Sequence, residues 1–461
     1  MTKASWLLSL VLLFCGGARG RTQQPGPIAL THVTVIDMTG APPKSDMTVV
    51  IQTDRIVAVG RSSKTHPPKN ARIIDARHKY LIPGLWDMHI HNFFGPNRSF
   101  YSLYIANGVT GVRDMGGEWK YYDADEQELR AGRPLNGRWP APRMVAAGVI
   151  LDGKPPMHPT DVSVTNAEEA RAAVDMCKGH GVDFIKVYNL LNRESYFAIA
   201  DEAKKDGLPF VGHVPFTVSA ADASDAGQKS IEHSDGILLA SSTKESELRE
   251  QLLKELREKG FSFGLYNLTE GAAIESYDRQ KANALFARFV KNGTWVCPTL
   301  VVEKRLLLDE KSEEVIQLAN RYVPHMAQGF WKQSEQMIKS ASPEKMAEHK
   351  KVYSRYAALV GPMHRAGVPL LAGTDTTNPY LVPGFSLHEE LGLLVEAGLT
   401  PMEALQTATI NPARFLGKDK ELGTVEKGKL ADLVLLDANP LADIHNTTKI
   451  EAVFANGRYL S

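Results

Sequence analysis

The chain has three cysteines in 461 residues, no excess of charge of either sign, and little that is apolar for long enough to cross a bilayer. Cys15 lies in the N-terminal segment, and Cys177 and Cys297 stand too far apart to frame a small disulfide-stapled fold. Whether those two meet is open from the sequence; both are expected to be buried small hydrophobes. Lys plus Arg and Asp plus Glu each total 53. No basic surplus exists to neutralise a phosphate backbone or an anionic membrane, so nucleic acid is not an expected partner. The apolar run at residues 6–15 is about half of the ~20 residues that a helical span needs, which argues against a stable membrane span. With Lys3 ahead of it and Ala18-Arg19-Gly20 behind, the run has the order of a secretory signal over residues 1–20. Export, periplasmic or secreted, is therefore expected. A lipoprotein anchor through Cys15 fits less well, because Phe14 stands where such signals want a small residue.

What is present is a globular composition, 43% hydrophobic and 23% charged, enough for one large and one small domain. Residues 26–82 contain short β-rich runs (IALTHVTVID, MTVVIQ, RIVAVG, ARIIDA) separated by turn residues. The same texture returns at residues 418–461, where KLADLVLLD and EAVFANGRYL read as strands and Asn456-Gly457 as a hairpin turn. Both ends are expected to build one small β-sandwich domain. Between them, residues 83–417 alternate apolar runs with helical, charged segments such as 167–178 and 193–205. Eight strand candidates (LWDMHIH, GVTGVRDMG, APRMVAAGVI, GVDFIKVYN, LPFVGHVP, KSIEHSDG, TWVCPTLVV, VPLLAGTDT) predict an α/β fold, a (β/α)8 TIM barrel. Residues 303–363 are helix-favouring and charged, either a lid over the barrel mouth or a solvated decoration.

In a strand, residues two apart face the same way, so Asp87, His89 and His91 are expected to point into the barrel and Trp86, Met88 and Ile90 toward the helices. A lone buried histidine is more often a satisfied core residue than a ligand. A pair spaced to meet one cation is relieved of its burial cost by coordination. Barrel active sites lie at the C-terminal ends of strands, and three more candidates close such ends: His213, His233 and Asp375. Lys186 points inward on the fourth strand with Phe184 and Tyr188. A buried lysine is costly unless paired, with Asp375 or Asp87 as ordinary partners, or chemically altered.

These segments, together with IEHSDG, AGTDT, LTPMEALQTATINPARFLG and GTVEKGKLADLVLLDANPL, resemble the amidohydrolase superfamily of metal-dependent hydrolases, in its imidazolonepropionase-like and prolidase-like branch. The resemblance covers nearly the whole mature chain. It implies two Zn2+ ions, or other divalent metals, bridged by Lys186 carboxylated by CO2, with His89, His91 and Asp375 on one metal and His213 and His233 on the other. It further implies attack by a metal-bridging hydroxide, with Asp375 as proton shuttle, on a C–N bond of a small amide such as an Xaa-Pro dipeptide or an N-acyl amino acid. Tyr188 and His158 are candidate substrate contacts, with structural hydrogen bonds as the ordinary alternative. A deaminase would carry a glutamate where Phe216 stands, which disfavours that chemistry. A lactonase or phosphotriesterase-type hydrolase, or a non-catalytic exported binding protein, stays open as an alternative, and so does homo-oligomerisation.

Overall fold

The computed structural model describes residues 26–91, 98–119, 129–130, 140–261 and 263–461. The expected signal at 1–20 and Cys15 lie outside them. Both ends of the chain share one eight-stranded sheet, ordered β17-β16-β15-β5-β1-β2-β3 with β4 also on β1. These strands are β1 (Ile28–Val35), β2 (Lys44–Gln52), β3 (Arg55–Arg61), β4 (Arg72–Asp75), β5 (Tyr80–Pro83), β15 (Leu433–Leu436), β16 (Ile450–Ala455) and β17 (Arg458–Leu460). The sequence suggested one small β-sandwich domain built from both ends, and the hydrogen bonding joins the strands of both ends in one sheet. β1 is irregular: His32 takes φ 60° and the register shifts. Ile28 to Thr31 pair with β4, whereas Thr34 and Val35 pair with β5. Asn456 and Gly457 both adopt positive φ at the β16–β17 hairpin, as that dipeptide favours.

The middle of the chain holds two parallel sheets. One has β6 (Leu85–Ile90), β7 (Val109–Asp114) and β8 (Arg143–Ala146). The other runs β10-β9-β11-β12-β13-β14, that is Val162–Ser163, Ile150–Asp152, Ile185–Val187, Phe210–Gly212, Ser230–Glu232 and Trp295–Cys297. The run APRMVAAGVI therefore splits into two strands in different sheets, with Gly148 at φ 76° at the break. The expected eighth strand makes only isolated parallel bridges, Val296 to Leu370 and Ile90 to Thr376. Gly373 interrupts it where a Cβ would come within 2.7 Å of His89 Cβ. Helices form between strands where capping and amphipathic spacing agree. Ala167–Gly179 starts with the Asn166 side chain accepting from the Glu169 amide. Arg193–Asp206 starts likewise on Asn192 and ends at Gly207 with φ 69°.

Two cores result. Ile185, Val187, Phe210, Ile231 and Val296 pack outward against helical Val174, Tyr196, Ile199 and Phe286. Met115, Val145, Phe184, Val211, Cys297 and Leu371 from the opposite strand faces form an inner cluster, joined by Phe415 and Leu422. Trp86 and Met88 belong to this inner cluster, contrary to the strict alternation expected of β6. The register explains it: β6 advances from Asp87 to Ile90 while β7 advances only from Val112 to Asp114, so β6 carries one extra residue. Asp87 turns away and accepts from the Thr374 hydroxyl at 2.7 Å and its amide at 3.0 Å. Cys177 and Cys297 are buried and free.

Residues 303–363 fold as helices from Leu300–Leu308 through Glu313–Tyr322 and His325–Lys339 to Pro343–Arg365. They pack on the segment after Asp375: Ala319, Val323, Ala327 and Trp331 cluster with Val382, and the Trp331 indole donates to the Thr377 carbonyl at 3.1 Å. Among the described residues no helix is long and apolar enough to cross a membrane.

Candidate active site

His89, His91, His213, His233 and Asp375 come together with Lys186 from four strands and the 370–376 segment. The bulge in β6 lets His89 and His91 converge, with their Nε2 atoms 3.3 Å apart. Asp375 Oδ1 lies 3.4 Å from His89 Nε2 and 3.2 Å from His91 Nε2, and its Oδ2 lies 3.9 Å from His233 Nε2. The rings of His89 and His233, and of His213 and His233, are 4.7 Å apart between centroids. His233 and Asp375 hold φ of 57° and 60°. Such left-handed backbone costs on the order of 1–3 kcal/mol per non-glycine residue and persists where packing over-determines it, typically at functional sites.

Each imidazole turns its Nδ1 outward to a fixed partner. His89 Nδ1 meets Glu232 at 3.0 Å, His91 Nδ1 the Gly116 carbonyl at 2.8 Å, and His233 Nδ1 the Thr299 hydroxyl at 2.6 Å. His213 Nδ1 meets Asn189 at 2.6 Å and Asp235 at 2.9 Å. All four Nε2 atoms are thereby left for the centre of the site, the orientation that metal-ligating histidines take from their outer partners. Burial, joined by the nearby Lys186 charge, pushes His89 and His213 well below the usual histidine range, and burial lowers His233 as well. Neutral rings keep the lone pair that coordination needs. Burial works against ionised Asp375, yet the His91 hydrogen bond and the charges of His233 and His91 hold its carboxyl below the usual value.

Lys186 is fully buried, and among the described residues its Nζ has no hydrogen-bond partner. The ordinary ion pair with Asp375 or Asp87 does not form. An unpaired ammonium in such a place costs several kcal/mol, and burial accordingly lowers the amine to about 8. An orphaned, partly neutral amine facing histidines and a carboxylate fits a bridging anion made from lysine better than it fits a structural cation.

Tyr188 lies near this group, its ring centroid 4.1 Å from that of His213 and tilted 40° to it, and burial raises its phenol well above the usual range. His158 lies 5.3 Å from the Tyr188 ring and binds Asp161 at 3.1 Å through Nδ1. Burial opposes its protonation, but Asp161 outweighs that and raises its pKa. Sequence reasoning missed Arg113 and Glu232. Arg113 donates to Glu232 at 2.8 Å, to Ser230 at 2.9 Å and to the Met88 carbonyl at 2.5 Å, with Phe184 and Phe415 on its faces. The signal available was a lone Arg inside GVTGVRD and a Glu beside His233, each readable as a surface charge.

Three groups of ligand-type atoms lie within 4.8 Å of one another among the described residues. His89, His233 and Asp375 form the buried one with free nitrogens. In the second, His89, Glu232 and Cys297, the carboxylate is already bound by Arg113. The third, Asp175, Glu202 and Asp206, is tied to Lys178, Lys205 and Arg171.

The family model described as Amidohydrolase family matches residues 290–460. Imidazolonepropionase of Shouchella clausii is 41% identical over 81 residues, 16% of this chain and 17% of that protein. The chain thus spans less than a fifth of that relative. A prolidase-like protein of Bifidobacterium longum is 25% identical, with TM-score 0.70 and 94% of each chain covered. An Xaa-Pro dipeptidase with methionine bound in its active site is 20% identical, with TM-score 0.66, covering 95% of this chain and all of that one, and shares the fold.

Proposed function

We propose that the chain is an exported hydrolase of the amidohydrolase family that uses two divalent metals, zinc first, to split a carbon–nitrogen bond in a small amide such as an Xaa-Pro dipeptide or N-acyl amino acid. The observation that carries this reading is Lys186, buried and unpaired beside four histidines whose Nε2 atoms face one centre. Its neutral amine attacks CO2, forming an N–C bond and releasing a proton, and the resulting carbamate replaces a cation with an anion where cations are to be held. His89, His91 and Asp375 would hold one metal and His213 and His233 the other, with Lys186 between. Bound there, the pair supplies Lewis acidity and lowers the pKa of a water. We take the two parallel sheets and the 370–376 segment to form the closed (β/α)8 barrel, which the bridges at Leu370 and Thr376 support.

Asp375, held ionised, accepts the proton of the attacking water and returns it to the leaving nitrogen. Tyr188 and His158 line the substrate side. A protonated His158 steadied by Asp161 suits a substrate carboxylate, and Tyr188, un-ionised, donates to an oxygen. Metal analysis of the purified protein beside Lys186→Ala tests the reading. Two metals per chain are expected to fall to one or none, with turnover of a dipeptide panel lost. Unchanged metal and turnover overturn the bridge, and hydrolysis of lactones alone overturns the amide assignment.

A further inference from the structure

Glu303 lies in the first turn of the helix Leu300–Leu308, and its amide bonds the carbonyl of the cap residue Thr299. Thr299 holds His233 through its hydroxyl at 2.6 Å, so this end of the helix abuts the active site. The helix cannot drift. Glu390 accepts from the Leu300 and Val301 amides at 3.1 and 2.8 Å, and Val301 and Val302 are buried in the core. Glu303 itself is half-buried, and among the described residues its carboxylate has no hydrogen bond or ion pair. The neighbouring cations are committed elsewhere: Lys304 to Glu310 and Arg305 to Glu389.

The groups around Glu303 share its sign. Burial, then the carboxylates of Asp235, Asp375 and Glu270, raise it well above the usual carboxylate range. Glu270 is 1% exposed, and although Tyr356 bonds its side chain, its Oε2 has no hydrogen-bond partner among the described residues. Asp235 meets the Nδ1 of His213 at 2.9 Å. A half-open carboxylate without a counter-ion, flanked by a buried carboxylate oxygen that is also unsatisfied, is the complement of a small cation.

We propose that Glu303 is a specificity residue that receives the protonated amino group of the substrate, so that the substrates are amides with a free amine near the scissile bond rather than N-acylated ones. This deepens the hydrolase reading and rests on it. A neutral acyl group in the same place would give the Glu303 carboxylate no charged donor to accept from.

The test compares Leu-Pro with N-acetyl-Leu-Pro on the zinc-loaded protein, for wild type, Glu303→Gln and Glu303→Asp. Wild type is expected to prefer the free amine. Glu303→Gln is expected to reduce the ratio of kcat/KM, free over acetylated, by roughly 10- to 100-fold, the range for a charge-assisted hydrogen bond, with the change in KM. Glu303→Asp restores part of it. Calorimetry with L-leucine and N-acetyl-L-leucine is expected to show the same preference in binding and its loss in Glu303→Gln. A wild-type preference for the acetylated substrate, or a ratio unchanged in Glu303→Gln, overturns this inference alone. Hydrolysis of neither substrate, with no binding of either amino acid, removes the amide reading and the inference together.

Discussion

At the scale of single residues, Glu232 shows how a site is built from behind. Its carboxylate is shared by His89 Nδ1, the Arg113 guanidinium and the Ser230 hydroxyl, all of them buried. Truncating such a partner leaves a charge uncompensated and releases the tautomer of the ring it held. Glu232→Gln is expected to weaken metal binding by about 10- to 100-fold, measured by competition against a chromophoric chelator, and to lower stability because Arg113 loses its counter-charge. Metal affinity unchanged within twofold would assign Glu232 to packing alone. His89, His91, Lys186, His213, His233 and Asp375 were legible as residues because each ends or lines an apolar run. Glu232, Arg113 and Glu303 were not, because a single charged residue beside a motif looks like any solvated one until burial is known.

Among elements, the helices inserted after β14 have the clearest consequence. Trp331, 2% exposed, plugs a small cluster with Val382 and donates to the Thr377 carbonyl, two residues past Asp375. Tyr380 in the same segment binds Glu335 at 2.7 Å. The insertion thus clamps the backbone that carries Asp375. Trp331→Ala removes the indole bond and leaves a cavity, a change that costs about 3–5 kcal/mol in a well-packed core. The expected result is faster amide hydrogen exchange across 377–382 with β1 to β5 unaffected; uniform exchange changes would mean that the insertion supports the whole fold instead. Helical character at 303–363 was readable from composition, but its seat on the segment after Asp375 was not, because the partners Trp331 and Thr377 are 46 residues apart. The β6 bulge was hidden for a similar reason: an extra residue leaves the alternation of letters intact while moving Trp86 and Met88 to the other face.

For the molecule as a whole, buried acids set the pH response. Burial raises Glu270 and Glu390 to about 8 each. Both are protonated in the folded chain and ionised in the unfolded chain between about 4.5 and 8, so the folded state binds more protons and stability falls as pH rises through that window. His388, lowered by burial to about 4, has the opposite sign, but its contribution is complete above about 6.5. Lys186, at about 8 in the fold, acts only at higher pH. The metal-free protein is therefore expected to lose stability from pH 6.5 to 8, at most ~1.4 kcal/mol per pH unit for each acid. Urea unfolding with EDTA present measures this, and Glu390→Gln is expected to flatten the slope; a rise in stability over that range contradicts the assignment.

Local pattern alone determined most of the strands, the helices and the hairpin, and which ionisable residues close apolar runs, because period, capping and turn chemistry are properties of neighbouring residues. Tertiary structure decided which of those groups meet. The inward turn of Trp86 and Met88, the pairing of Glu232 with Arg113, the burial of Lys186 and the acidic surroundings of Glu303 all depend on contacts between distant positions. Burial changes the energy of a charge by several kcal/mol, and no stretch of sequence carries its own burial.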